Sequence, residues 1–223
     1  MRKVLQGREK ASKARAMAAR AERRGQPSHR EDLRSELLAA AVSYVTAQGH
    51  EDLSMRKLAE LVGVSSGAPY HHFADRRALL TAVALEGYEE MFRHTALTDI
   101  ADPAHDRAGT GALYRIFVGF LRFAAENPHM FTLMYESELV RPKLCAELGA
   151  AQDVGFQLLR KEVERLTGHL SERERALRIA TIWSAIFGFA LQSNRAMLRA
   201  NPFEPAPDEL APEIVRQALR LLD

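Results

Sequence analysis

The chain has 223 residues, of which 47% are hydrophobic and 27% charged, so it can bury a hydrophobic core and does not have the composition of a disordered protein. The single cysteine, Cys145, excludes an internal disulfide framework and a cysteine-based zinc site. The N-terminus lacks the apolar run of a secretory signal, and no stretch approaches the roughly 20 apolar residues of a membrane helix, which predicts a cytoplasmic protein.

The net charge of +2 is unevenly distributed along the chain. The first 27 residues contain nine lysines and arginines but only two glutamates. A basic N-terminal extension on a mildly acidic body predicts a polyanionic partner. A solvated tail or a start-site artefact remains the alternative interpretation of these residues.

Apolar residues recur with helical spacing along nearly the whole chain, and no run alternates strictly, so we predict an all-α fold. Ser28 with Glu31 three residues later has the pattern of a capping box, which predicts a first helix from there to about Gly49. We expect Ser54 to cap a short second helix that ends at Gly63.

A third short segment is expected from Ser65 to Phe73, and Asp75 is expected to cap a fourth helix with an apolar inner face. The sequence then becomes loop-like between Thr98 and Gly111, which predicts a domain boundary. We therefore divide the chain into a basic N-terminal extension (1–27), a compact helical unit (28–96) and a second helical unit (97–223).

Five further helices are predicted beyond this boundary. A capping box at Ser171 and Glu174 opens the fourth of them, whose centre is apolar on nearly all sides and needs cover on more than one face. The predicted helices are Leu113 to Glu126, a shorter helix with Met130 and Met134, about Leu144 to Leu166, about Glu172 to Arg199, and a last helix after Pro202, Pro205 and Pro207.

The two short segments joined at Gly63 have the pattern of a helix-turn-helix, whose second helix enters the major groove of DNA. Ser65 and Ser66 are short hydrogen-bonding residues where that helix begins, with Ser65 or Ser66 as its cap. Gly67 lets a backbone approach closely, and Pro69 is tolerated because it lies in the first turn. These residue types predict a surface that contacts DNA.

The motif GVSSGAPYHHFADRRALLTAV, preceded by LSMRKLAEL, resembles the DNA-binding domain of TetR (tetracycline-repressor-like) transcriptional regulators over about Ser28 to Met91. This resemblance implies a three-helix head with a helix-turn-helix and a homodimer that binds a palindromic, double-stranded operator. Because acidic residues offset the arginines of the head, we expect the basic extension to add affinity, with its arginines in a minor groove. The DNA contacts that the resemblance implies are Arg56, Ser65, Ser66, Gly67, Tyr70, His71, His72 and Arg76.

In the second half, IWSAIFGFALQ resembles the Trp-His-Gly type of TetR ligand-binding domain, with Phe187 where that family has histidine. The resemblance implies a dimer formed by the last two long helices and a small-molecule effector held between the middle helices. We expect Phe187, Gly188, Leu191, Ile214, Ala218 and Leu222 at or near the dimer interface. We expect Tyr88, Phe117, Phe120, Met134, Phe156 and Trp183 to line the effector cavity, and the scarcity of charges among them favours an apolar or aromatic effector.

Other classes of function have little support in the sequence. His71 and His72 are adjacent and point to different sides of a helix, and no histidine pair has the four-residue spacing of a metal site, so we predict neither an enzyme nor a bound metal or cofactor. A constitutive architectural DNA-binding protein, dimerised by its second half, remains an alternative. The sequence does not separate a repressor from an activator, and it identifies neither the effector nor the operator.

Overall fold

The computed structural model describes residues 29–97, 109–141, 143, 145–198 and 207–222, and every regular element within these ranges is helical, as predicted. The basic N-terminal extension, Ser28 and most of the loop after Thr98 lie outside the described residues. The elements are α1 (His29–Gln48), α2 (Met55–Val62), a 3-10 helix (Ala68–His71), α3 (Arg76–Leu97), α4 (Gly111–Glu126), α5 (Pro128–Glu136), α6 (Ala146–Leu166), α7 (Glu172–Asn194), α8 (Pro207–Leu219) and a closing 3-10 helix (Arg220–Leu222).

The helix ends follow from short-range signals in the sequence. The Ser54 hydroxyl accepts the backbone N–H of Lys57 at 3.1 Å, which caps α2 as predicted. Gly63 ends α2 with a left-handed φ of 77°, a conformation that glycine adopts without steric cost. The capping box predicted at Ser171 and Glu174 is present at the start of α7.

Three helix boundaries differ from the prediction by two residues or more. Helix α4 begins at Gly111 instead of Leu113. The helix expected from about Leu144 begins at Ala146, because Cys145 has extended backbone angles and takes the N-cap position. The helix expected to reach Arg199 ends at Asn194. There the N–H of Met197 bonds back to the carbonyl of Gln192 at 2.8 Å, and Ala196 has a φ of 50°, so the chain closes in a left-handed turn.

Helix α3 packs against helices of both predicted units. It contacts α1 as well as α4, α5 and α6, so one continuous hydrophobic core extends from α1 to α8. The approach of α3 to α5 is close at Gly87, where a Cβ atom would lie 2.7 Å from Sδ of Met134 and 2.9 Å from Sδ of Met130. Because α1 also packs against α5, the N-terminal unit is attached to the rest of the protein through two helices.

Helix α7 is long and apolar enough to cross a membrane by the criteria of length and composition alone, but a single helix of this kind is weak evidence for a membrane span, so the expectation that the chain has none is not overturned. The buried core helix of a soluble protein meets the same criteria, and α7 packs against α4, α6 and α8. Only 28% of its apolar window is buried within the chain, so much of its surface is uncovered.

Candidate nucleic-acid interface and ligand cavity

The loop and short helix from Ser65 to His72, which we name the reading segment, form a tight turn instead of a regular α-helix. The N–H of Ala68 bonds to the carbonyl of Ser65 at 2.9 Å and that of Tyr70 to Gly67 at 3.2 Å, both with the three-residue spacing of a 3-10 helix. Gly67 takes the N-cap position without a side-chain hydrogen bond, so neither Ser65 nor Ser66 is the cap. Pro69 lies in the first turn, as expected.

Buried residues hold the reading segment on one side only. Pro69 is buried, and Phe73 is 3% exposed with the guanidinium carbon of Arg34 5.1 Å from its ring centroid. Tyr70 is 57% exposed although it is a large aromatic residue, and His72 is half-buried. The remaining members of the segment that the resemblance assigns to DNA, Ser65, Ser66, Gly67 and His71, are exposed. The arrangement gives the segment a fixed position and an open polar edge.

Arg56 lies on α2 with its side chain 83% exposed. Its Nε donates to Oε1 of Glu60, one turn later, at 3.1 Å. This exposed ion pair is weak and salt-sensitive, so the guanidinium can exchange Glu60 for another anion at small cost.

Arg76 has main-chain partners that were not predicted from the sequence. Its Nε donates to the carbonyl of Leu53 at 2.6 Å, and its Nη2 donates to the carbonyls of His50 and Glu51, the latter at 2.9 Å. The guanidinium thus joins the start of α3 to the turn between α1 and α2. Since three of its hydrogen bonds go to the main chain, the structure supports a positioning role for Arg76, and the DNA contact implied by the resemblance stays a prediction.

His50 lies beside this arginine and is 8% exposed. Burial lowers the pKa of His50 below 6.5, Glu51 raises it and the nearby Arg76 lowers it again. The net direction keeps the imidazole neutral at physiological pH, so it does not repel the Arg76 guanidinium.

A cavity of about 390 Å³ lies between α3, α4, α6 and α7. Its wall contains five of the six residues that we expected there: Tyr88, Phe117, Phe120, Phe156 and Trp183. The sixth, Met134, is 2% exposed and packs at Gly87 in the contact between α3 and α5, so it is a core residue and does not line the cavity. Residues that we did not predict include Met91, Phe92, Thr95, Tyr135, Gln152 and Phe187.

Aromatic rings form a continuous wall on one side of the cavity. Trp183 stacks on Phe187 with ring centroids 5.8 Å apart and an angle of 19° between the planes, and the centroids of Phe120 and Trp183 are 5.1 Å apart. Tyr135 meets Phe187 edge to face at 5.4 Å. Phe187, which we expected at the dimer interface, therefore contributes to the cavity of its own chain.

The polar groups of the cavity are few and hydrogen-bonded. Nε2 of Gln152 donates to the hydroxyl oxygen of Tyr88 at 2.6 Å, and the hydroxyl of Tyr135 lies 3.5 Å from Sδ of Met91. Burial raises the pKa of Tyr88, and it raises the pKa of Tyr135 well above its usual value, so both hydroxyls remain protonated. Among the described residues that line the cavity there is no lysine or arginine, and Asp153, which is exposed, is the one acid.

Two further residues expected at the dimer interface are buried within the single chain. Ala218 is 5% exposed and Leu222 is 6% exposed, because α8 and the closing 3-10 helix pack against α7. The other three, Gly188, Leu191 and Ile214, are half-buried. The uncovered side of α7 instead carries Leu177, which is 58% exposed, together with Ala180, Thr181, Ser184 and Ala185.

Comparison with known protein families gives a match in each unit. Residues 37–83 match the family described as bacterial regulatory proteins, tetR family, and residues 113–218 match the tetracyclin repressor-like, C-terminal domain. The reading segment and the cap at Asp75 fall within the first match, and most of the cavity wall falls within the second.

Individual relatives agree with these matches. The chain is 34% identical over 73 residues to the HTH-type transcriptional repressor AcnR of Corynebacterium diphtheriae, which is 33% of this chain and 38% of that protein's own length. It is 27% identical over 192 residues to the tetracycline repressor protein class D of Escherichia coli, which is 85% of this chain and 79% of that repressor.

Solved structures with the same fold include a protein of unknown function from Rhodococcus sp. RHA1, with a TM-score of 0.66 and 25% identity over 87% of this chain and 97% of that one. The TetR family transcriptional regulator PfmR of Thermus thermophilus has a TM-score of 0.57 and 23% identity, covering 82% of this chain and 97% of PfmR.

Proposed function

Because the chain belongs to the tetR family of bacterial regulatory proteins, and is a DNA-binding transcriptional regulator and not an enzyme, we propose that it is a repressor that binds a palindromic operator as a homodimer and is released by a small effector. Two of the relatives above, AcnR and the class D tetracycline repressor, are named as repressors, and this similarity favours repression over activation.

The observation that carries this proposal is the one-sided burial of the reading segment. Pro69 and Phe73 attach it to the core, while Tyr70 and His71 face solvent next to exposed serine and glycine backbone. Short polar residues and a protruding tyrosine on a fixed turn can donate to phosphates and base edges without a conformational change. In two copies related by a two-fold axis, such segments reach successive major grooves roughly 34 Å apart.

The uncovered side of α7 supports a homodimer. Leu177 is exposed, and the small residues at 180, 181, 184 and 185 allow close approach of a second helix. We place the interface there and along α8, in line with the resemblance, with Gly188, Leu191 and Ile214 at its edge. The partly buried state of these three residues is compatible with that placement.

The cavity supports a small apolar or aromatic effector, since its lining is mainly aromatic and aliphatic. Tyr88, Met91, Phe92 and Thr95 of the lining lie on α3, whose first residue, Arg76, supports the DNA-reading unit. A ligand that prefers a different tilt of α3 therefore changes the spacing of the two reading segments. A ~100-fold preference supplies about 2.7 kcal/mol for release.

Other parts of the proposal rest on the sequence. We retain the basic extension (1–27) as a source of additional phosphate contacts, and the division into a DNA-binding unit (28–96) and an effector-binding and dimerisation unit (97–223). The protein would act in the cytoplasm, where its DNA target lies. A constitutive dimeric DNA-binding protein without an effector is the alternative, and it predicts that no small molecule releases the operator.

The test begins with capture of bound genomic fragments by the full-length protein, followed by binding of the selected duplex, measured by fluorescence anisotropy at fixed salt. We expect Tyr70→Ala to weaken operator binding about 10- to 100-fold, equivalent to loss of a contact of about 1–3 kcal/mol. Gln157→Ala, which alters an exposed residue of α6, is the matched control and should bind as the unaltered protein does. Unchanged affinity of Tyr70→Ala would remove the reading segment from the interface.

A further inference from the structure

The shape, charge and hydrogen-bonding groups of the cavity restrict its ligand more than its apolar character alone does. We propose that it selects a neutral, planar aromatic molecule with one hydrogen-bonding group, whose rings lie against the aromatic wall and whose polar group meets Gln152 and Tyr88. The inference takes from the proposed function only that this cavity is the effector site.

Size and shape limit the ligand to a compact one. Pockets for small molecules are usually about 300–1,000 Å³, and the 390 Å³ of this cavity is near the lower limit. Eight aromatic residues contribute to the lining: Tyr88, Phe92, Phe117, Phe120, Tyr135, Phe156, Trp183 and Phe187. Rings of this kind favour offset or edge-to-face contact with another ring, so a flat molecule of two or three rings fits better than a flexible chain.

The charge of the lining disfavours an ionic ligand. An anion would be desolvated beside aromatic rings with no lysine or arginine among the described lining residues to compensate it. A cation would find one carboxylate, Asp153, whose exposure to solvent screens its attraction. The two tyrosine hydroxyls are uncharged at neutral pH, so they do not alter this balance.

The position of the polar group follows from the hydrogen bonds already made. The hydroxyl of Thr95 donates to the carbonyl of Phe92 at 2.9 Å, and that of Tyr135 faces Sδ of Met91. Nε2 of Gln152 donates one N–H to the Tyr88 hydroxyl, which also hydrogen-bonds to the Tyr135 hydroxyl, so Gln152 retains its carbonyl oxygen as an acceptor and its second amide N–H as a donor. A ligand with a donor and an acceptor side by side, such as a primary carboxamide, complements this pair.

The experiment compares four naphthalene probes of nearly equal size: naphthalene, 2-naphthamide, 2-naphthoate and 2-naphthylmethylammonium. Their binding to the full-length protein is measured by isothermal titration calorimetry at pH 7. We expect 2-naphthamide to bind at least about 10-fold more tightly than each of the other three, because burying a charge or leaving Gln152 unpaired costs at least about 1.4 kcal/mol.

Two variants locate the site. We expect Gln152→Leu and Tyr88→Phe each to weaken 2-naphthamide binding about 5- to 10-fold, while affinity for naphthalene stays the same. Gln157→Leu, an exposed position on the same helix, is the control and should have no effect. Tyr88→Phe removes one oxygen atom only, so it provides the test if Gln152→Leu alters the fold.

Several results would overturn the inference: binding of either charged probe as tightly as 2-naphthamide, equal affinity for naphthalene, insensitivity to both variants, or no binding of 2-naphthamide at millimolar concentration. A separate assay measures whether 2-naphthamide releases the operator. Selective binding of 2-naphthamide without release would contradict the proposed effector function and leave the ligand class standing. Release of the operator by a charged probe that binds more tightly than 2-naphthamide would support the effector function and contradict the ligand class.

Discussion

At the scale of single residues, Arg76 shows that a local motif reveals only part of what a side chain does. The charged pair that opens α3 is visible in the sequence, and the resemblance places Arg76 on DNA. Its carbonyl partners at positions 50, 51 and 53 are more than 20 residues away in the chain, so no local pattern could reveal them. Because the Arg76 side chain holds this turn through three hydrogen bonds, it stabilises the folded protein in the absence of DNA.

We predict that Arg76→Met lowers the free energy of unfolding by about 2–3 kcal/mol, because it removes hydrogen bonds from a charged donor to three carbonyls. Urea denaturation followed by circular dichroism measures the change. Arg77→Met, at the exposed neighbouring position, is the matched control and should change the stability by less than about 0.5 kcal/mol. Equal stability of the two variants would show that the carbonyl contacts are not needed.

Some residues of the cavity could be predicted from the sequence and others could not. Large aromatic residues at helical spacing, such as Phe117 and Phe120, could be predicted because such residues are rarely placed on a surface without reason. Gln152 could not, because a single amide next to Asp153 on an amphipathic helix resembles an ordinary surface residue. The absence of Met134 from the cavity wall and the presence of Phe187 on it could not be predicted, because periodicity identifies an inner face of a helix but does not show which neighbour covers it. The expected place of Phe187 near the dimer interface stays a prediction.

At the scale of helices, the boundaries that depend on local chemistry were predictable. Ser54, Gly63 and Asp75 each act on backbone groups within four residues, and each ends or begins a helix where expected. The reading segment differs because a 3-10 turn and a short α-helix share the same residue preferences, and the anchoring of Pro69 and Phe73 decides between them.

The Asp75 N-cap at the start of α3 is expected to stabilise the protein measurably. Oδ1 of Asp75 accepts the backbone N–H of Ala78 at 2.7 Å, so Asp75→Ala should reduce the free energy of unfolding by about 1 kcal/mol. Asp75→Asn keeps an acceptor oxygen at the same place and should remain close to the unaltered protein. Thermal and urea denaturation of both variants measure the effect, and an Asp75→Ala variant as stable as the unaltered protein would argue against the cap.

At the scale of the whole molecule, the all-α fold could be predicted from hydrophobic periodicity, whereas the division into two units at the loop after Thr98 stays a prediction. The sharing of α3 between the two units could not, since a helix with an apolar stripe does not specify how many neighbours share it. The same ambiguity affected α7, where the sequence indicated a helix covered on several sides but not which residues remain outside the single chain. Leu177 is the clearest of these.

We predict that Leu177→Glu dissociates the proposed homodimer and weakens operator binding by at least about 10-fold, because each interface would bury an unpaired carboxylate. Sedimentation velocity gives the oligomeric state, and fluorescence anisotropy gives the affinity. Leu139→Glu, which places the same charge on a residue 37% exposed outside α7, is the control and should remain associated. A Leu177→Glu protein that sediments as the unaltered one would place the interface elsewhere.

The methionine contact at Gly87 has a mechanical consequence for this architecture. Methionine side chains are unbranched and adaptable, so Met130 and Met134 can follow a small rotation of α3 without opening a void. Gly87 is eleven residues from Arg76, which is about 16 Å along the helix axis at the α-helical rise per residue. If α3 tilts by about 5° about Gly87, its N-terminus at Arg76 moves by about 1.4 Å, which is about half the length of a hydrogen bond.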